Sequence, residues 1–210
     1  MIRDSFTIYI SGVGGQGILW LSKVFARAAC KSQAFVCRTE MRGLSQRGGS
    51  VCSAVRFGPH AVTPTSAAGG ADLIVALDAL EAARSLEFLK PSGRLITNCH
   101  FVKPAHLLMK DTAEADNLAT RLAFLWEHSP DFFSVDFQAL AVENSIKRMN
   151  LLVAGAASAF LPLRLEDLHD AVMDSVPDHE HESARVAFDS AAALLQNMKR
   201  NISRVPHRAA

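Results

Sequence analysis

The chain has 210 residues, enough for one good hydrophobic core, with 49% apolar residues, 20% charged residues and a formal net charge of +1. That balance is ordinary for a soluble globular protein and gives no ground for nucleic acid or an anionic membrane surface as the main partner. No apolar run reaches the roughly 20 residues that span a bilayer, and the start "MIRDSFTIYI" lacks a secretory pattern, so a cytoplasmic location is expected.

In chain order, "FTIYISG" reads as a buried strand that ends at a glycine turn. From Ile18 the apolar positions Ile18, Leu21, Val24, Phe25 and Ala28 recur at helical spacing, with Lys23 and Arg27 on the other side. A second strand-like run, "AFVCRTE", leads into the loop "MRGLSQRGGS". "VCSAVRFGPHAVTP" alternates and breaks at Gly58-Pro59, which suggests a short hairpin rather than another crossover. "ADLIVALD" reads as a strand, "ALEAARSLEFL" as a helix, "KPSG" as a turn, and "RLITNC" and "FFSVDF" as further strands. "QALAVENSIKRMNLLVAGAASAFL" reads as one long helix, buried in its second half and stopped by Pro162. "RLEDLHDAVMDSV" and "HESARVAFDSAAALLQNMKR" are amphipathic helices. Strands alternating with helices predict an α/β layer fold around a mainly parallel sheet. Residues 1–200 are expected to form one domain and 201–210 a flexible tail.

Gly12, Gly14 and Gly17 fit the spacing G-x-G-x-x-G between a strand and a helix, a turn whose free N–H groups and helix dipole favour an anion. Gly12 is assigned the tight turn, Gly14 a close approach to ligand, and Gly17 close packing of the helix on the sheet. Gly15 and Gln16 make "GVGGQG" richer in glycine than a dinucleotide turn requires, and Gln16 adds an amide that donates and accepts. Glu40, 23 residues beyond Gly17, is the one fair candidate for a ribose-binding acid. It is followed at once by a second candidate anion cradle. There the backbone around Gly48 and Gly49 joins the Arg47 guanidinium and the Ser45 and Ser50 hydroxyls, with Gln46 between them. The two loops are expected to follow adjacent strands and lie side by side at the carboxyl edge of the sheet. The structural alternative is a pair of tight turns, with Arg47 paired to a carboxylate of this chain or of a partner.

Other residues carry less. Cys30, Cys37, Cys52 and Cys99 have no cluster or zinc-finger spacing and are expected to be reduced and mostly buried. "DHEHE" is read as the exposed acidic start of a helix rather than a metal site, and no metal ligand is assigned. Asn98, at the end of "RLITN", stands on the ligand-facing edge, as a hydrogen-bond donor or a loop cap. Glu81 is read as a helix-surface residue or a partner contact. Serine, histidine and acid form no local nucleophile motif, so no catalytic residue is assigned.

"GVGGQGILWLSKVFARAA", followed by "TEMRGLSQRGGSVCSAVRFG", closely resembles the gamma subunit or domain of the 2-oxoacid:ferredoxin oxidoreductases, called the small beta subunit in indolepyruvate oxidoreductase. The likeness continues through "ADLIVALDALEAARSLEFLKPSGRLITN" and "NLLVAGAASAF". Arg42 before Gly43 and Ser183 in "ESARVAF" depart from the common pattern, which leaves the 2-oxoacid open. The resemblance implies a three-layer, Rossmann-like α/β fold with an antiparallel edge hairpin. It also implies a subunit inactive alone, in an enzyme that decarboxylates a 2-oxoacid such as indolepyruvate or pyruvate, forms acyl-coenzyme A and reduces ferredoxin. Thiamine diphosphate and iron–sulfur clusters are then expected in a larger partner chain, with no cofactor held tightly here. Gly12, Gly14, Gly15, Gln16, Gly17, Glu40, the segment Ser45–Ser50 and Asn98 are then expected to contact coenzyme A or the partner. A homodimer in the partner's absence is left open. Two rivals stand beside this reading: a freestanding oxidoreductase binding NAD or flavin, and an interaction subunit without a ligand.

Overall fold

β-Branched and aromatic residues in "FTIYISGV" form β1 (Phe6–Val13), the centre of a six-stranded sheet ordered β2-β3-β1-β4-β5-β6. The computed structural model describes residues 4–42, 49–60, 63, 67–100, 102, 118–129 and 131–202. The other strands are β2 (Phe35–Arg42), β3 (Ser50–Gly58), β4 (Ala71–Ala76), β5 (Leu89–Asn98) and β6 (Asp131–Val135). β1, β4, β5 and β6 are parallel neighbours, whereas β3 runs antiparallel to both β1 and β2. The sheet is thus mainly parallel with an antiparallel edge hairpin, as expected.

The hairpin's position differs from expectation. It joins β2 to β3 across the "RGLSQRG" connection, and the Gly58-Pro59 break merely ends β3. β1 and β2 are therefore not neighbours, because β3 is inserted between them.

Helix α1 (Ile18–Lys31) buries Ile18, Leu21, Val24, Phe25 and Ala28, the five positions that the spacing singles out. It packs on one face of the sheet with α4 (Phe137–Glu143), α5 (Met149–Ser158), α6 (Leu165–Met173) and α7 (His181–Ile202), around the larger core. Trp20 Nε1 and Arg27 fasten α1 to the carbonyls that end α6, at 3.1 Å each. The opposite face carries α2 (Ala79–Ser85) and α3 (Leu118–His128), over a smaller core that includes Tyr9, Ile74, Leu95 and Leu125. These are the three layers.

Four further elements depart from the sequence reading. The expected long helix is two helices: α4 ends at a left-handed Ser145 (φ 54°), where Ile146 N donates to Ala141 O at 2.7 Å, and α5 starts anew at Met149. "KPSG" is extended backbone inside β5, taken up by a register shift between Ala71 and Leu73. α3 fills a stretch to which the sequence reading gives no element, as a parallel β5–β6 pair requires a crossover. α7 continues to Ile202, two residues into the expected tail.

The cysteines are free, but none is buried: Cys30 is exposed, and Cys37, Cys52 and Cys99 are half-buried. Cys37 lies on the edge strand β2 and Cys30 in the last turn of α1, positions that the core does not cover.

Candidate functional site

The glycine turn closes on itself before it offers anything to a ligand. Gln16 N donates to Val13 O at 3.1 Å, and the Gln16 side chain turns back so that Oε1 accepts from Val13 N at 2.7 Å. The left-handed residues are Gly15 (φ 99°) and Gly17 (φ 84°). Gly12 instead lies within β1, where an added Cβ would stand 2.6 Å from Gln16 Oε1 and 3.2 Å from Leu77 Cβ. The tight conformations thus belong to Gly15 and Gly17, and the close packing to Gly12. An added Cβ on Gly17 would collide with Asn150 of α5 rather than with the sheet. The Gly14 amide donates to Gly49 O at 2.9 Å, so the first loop is bonded to the end of the second.

That bond brings the two loops together despite the inserted strand. Ser45, Gln46, Arg47 and Gly48 lie outside the described residues. The loop's end is anchored beneath the surface. Ser50 Oγ donates to Glu81 Oε2 at 2.5 Å, and Arg84 Nη1 to Glu81 Oε1 at 2.6 Å. Glu81 is only 4% exposed, which corrects its reading as a surface residue. Its helix is capped by buried Asp78, whose carboxylate accepts from the backbone of Leu80, Glu81 and Val102. Burial pushes the Asp78 carboxyl above its ordinary value, against the pull of those three donors.

Two more sequence candidates sit apart from the turn. Glu40 lies on the edge strand, 2.9 Å from Arg38 Nη1 and in register with Ser53. Asn98 is 1% exposed and joins the ends of β4 and β6: Nδ2 donates to Leu77 O at 3.4 Å and Oδ1 accepts from Phe137 N at 3.2 Å. Its amide serves as a latch within the chain. "DHEHE" forms the expected helix start: Asp178–Glu180 make a 3-10 turn leading into α7, with Glu180 paired to Arg148 at 2.8 Å.

Between the glycine turn and the α4–α5 connection lies a cleft of about 780 Å³. Gly15, Gln16 and Trp20 form one wall, and Lys147, Arg148 and Asn150 the other. The starts of α1 and α5 both open onto it. Neither helix has an acidic residue in its first turn or a side chain capping its N-terminus. Both helix ends lack an acid in their first turns and stand beside Lys147, whereas Arg148 is held by Glu180 at 2.8 Å. Lys147 and the two N-termini are therefore what suit an anionic group. The sequence reading missed this second wall because it ran α4 and α5 together. The available signal was "ENSIKR", a polar and basic interruption within an apolar helical pattern.

Comparison with known proteins follows the same lines. The family model described as pyruvate ferredoxin/flavodoxin oxidoreductase matches residues 7–194. The protein called indolepyruvate oxidoreductase subunit IorB in Methanothermobacter thermautotrophicus is 32% identical over 197 residues, covering 90% of this chain and 98% of its own. The gamma subunit of a keto/oxoacid ferredoxin oxidoreductase from Geobacter sulfurreducens shares the fold. Its TM-score is 0.67 at 20% identity, over 91% of this chain and 99% of that one. The 2-oxoglutarate:ferredoxin oxidoreductase of Magnetococcus marinus, whose structure holds 2-oxoglutarate, coenzyme A and succinyl-CoA, carries the fold within a longer chain. It matches 93% of this chain and 32% of its own, with a TM-score of 0.68 at 17% identity. Because the family model spans nearly all of its described elements, the chain belongs to the pyruvate ferredoxin/flavodoxin oxidoreductase family.

Proposed function

We propose that this chain is the small subunit of a 2-oxoacid:ferredoxin oxidoreductase and that its two glycine loops and adjoining cleft contact the phosphate groups of coenzyme A. The observation that carries the ligand assignment is the meeting of two helix N-termini, neither with an acid in its first turn, beside Lys147 around one cleft. Arg47, from the second loop, adds a planar guanidinium suited to a phosphate. Thiamine diphosphate and the iron–sulfur clusters belong, in this reading, to a larger partner chain. This chain's part is to bind and orient the acyl acceptor and to complete the assembly, in the cytoplasm. The relative named for indolepyruvate favours an arylpyruvate over pyruvate as the 2-oxoacid.

A charge-assisted hydrogen bond contributes roughly 1.5–3 kcal/mol. In the complex reconstituted with the larger chain, Arg47→Ala should raise the coenzyme A requirement by about tenfold to somewhat over a hundredfold. Lys147→Ala should act in the same direction, while 2-oxoacid decarboxylation without coenzyme A stays nearly intact. Arg47→Lys should recover part of the loss. If assembly and every activity fall together, the loops are docking elements only. Unchanged coenzyme A kinetics in a normally assembled complex would overturn the ligand assignment.

A further inference from the structure

The carboxyl ends of β5 and β6 hold three different ligand atoms in one place. Cys99 Sγ, a ring nitrogen of His100 and a carboxylate oxygen of Asp136 lie within 4.8 Å of one another. They stand at the first turn of α4, and none of the three lines the glycine cleft, although Gln138 of the same turn does. The backbone holds all three in position. Cys99 N donates to Val135 O at 3.0 Å, and Ala79 N donates to His100 O at 3.0 Å. Asp136 Oδ1 caps α4 by accepting from Ala139 N at 2.8 Å, which leaves Oδ2 facing His100 Nε2 at 2.9 Å. The His100 and Asp136 side chains are 45% and 41% exposed, so solvent reaches the group.

From this arrangement we infer that Cys99, His100 and Asp136 form a three-ligand site for a borderline-soft divalent cation of the zinc type, with water in the fourth position. Thiolate, imidazole and carboxylate together match the donor preferences of such an ion, and an open position suits a tetrahedral site with three protein ligands. Bonds of about 2.0–2.3 Å place tetrahedral ligand atoms roughly 3.3–3.7 Å apart. The His100–Asp136 pair must therefore open by a few tenths of an ångström, and Cys99 Sγ must close by at most about 1.5 Å. Side-chain rotations on the fixed backbone supply both movements. Burial pushes the Cys99 thiol up, and the Asp136 carboxylate adds to the shift. A cation between them reverses that repulsion. Binding replaces the Cys99 S–H bond with a sulfur–metal bond and releases one proton to solvent, with no change in oxidation state. This site lies outside the residues to which the sequence reading assigned a ligand and is independent of the coenzyme A assignment.

The test is titration of the full-length chain, freed of metal, with Co²⁺ and with Zn²⁺. One equivalent of Co²⁺ should produce a near-ultraviolet sulfur-to-metal charge-transfer band, and Zn²⁺ calorimetry in two buffers should show about one proton released per ion. Cys99→Ser should abolish the band. Asp136→Asn keeps a good helix cap and should retain wild-type stability. It should nevertheless weaken Zn²⁺ binding by at least the roughly 10–100-fold that loss of an outer partner costs. Cys30→Ser should change nothing. A band that survives Cys99→Ser, Zn²⁺ affinity unaltered by Asp136→Asn, or no saturable binding of either ion would overturn the proposal.

Discussion

Replacing Gly17 with alanine separates two reasons for a glycine at one position. Its φ of 84° lies in the left-handed region, where a Cβ costs roughly 1–2 kcal/mol. Stiffening the unfolded chain returns about 0.4–1 kcal/mol of that. The new methyl group would also collide with the Asn150 amide, forcing that side chain off its rotamer at a cost of about 0.5–1.5 kcal/mol. The net loss is about 0.5–3 kcal/mol, summed from these ranges. Gly15 provides the control: its φ is 99°, yet an added Cβ there meets nothing within 4 Å. Gly15→Ala should therefore cost less than Gly17→Ala by about the rotamer contribution alone, 0.5–1.5 kcal/mol. In an Asn150→Ala background that gap should close. Urea unfolding of the full chain measures all of these, with an unchanged slope showing that the denatured state is not responsible. The reasoning is refuted if Gly17→Ala is as mild as Gly15→Ala, or if the gap persists without the Asn150 amide.

Gly155→Ala should destabilise the chain by about 1–3 kcal/mol in thermal or urea unfolding. Its Cβ would meet the Phe188 backbone, which cannot move aside without displacing α7 from α5. Glu81→Gln should cost about 1–2 kcal/mol through loss of charge-assisted bonds, and adding Ser50→Ala should cost less than it does alone, since the two share one contact. Asp78 gives a pH signature. Its native pKa is raised from the ordinary 3.8, so the native state holds its proton longer and stability from this group falls as pH rises through that window. The stability of wild type relative to Asp78→Asn should decline from below pH 4 to above the raised value, and a flat difference counts against this account. NAD(H) calorimetry should show no micromolar affinity, and Glu40→Ala should make no difference to it.

The sequence made some parts of this molecule legible and concealed others for identifiable reasons. β1, the glycine turn and α1 are readable because a short, mostly apolar run, buried along nearly its whole length, passes through glycines directly into a 3.6-residue period whose five apolar positions are buried. The α4–α5 break was concealed because Ser145 adopts a left-handed conformation without a glycine to advertise it. α3 presents apolar residues on several sides, with Trp126 70% exposed and Leu125 fully buried, so its pattern is indistinct. Glu81 looks like a surface residue in "ALEAARS", and only the return of β3 beside α2 supplies the Ser50 partner that accommodates its burial. The paired loops were foreseen at the sheet edge, but their meeting depends on the antiparallel insertion of β3, a tertiary fact. The second wall of the cleft came with α5 and was hidden for the same reason as the break.

The Gly14–Gly49 bond makes one amide proton an internal reporter. Gly14 N–H can exchange with solvent only when the first loop and the start of β3 separate, because its acceptor belongs to the other loop. Anything that clamps the second loop should lengthen the lifetime of that proton, even if it never touches the first. If coenzyme A or a larger partner chain engages the loops, either would be read at the same nucleus, and titrating each alone would show whether it holds them closed.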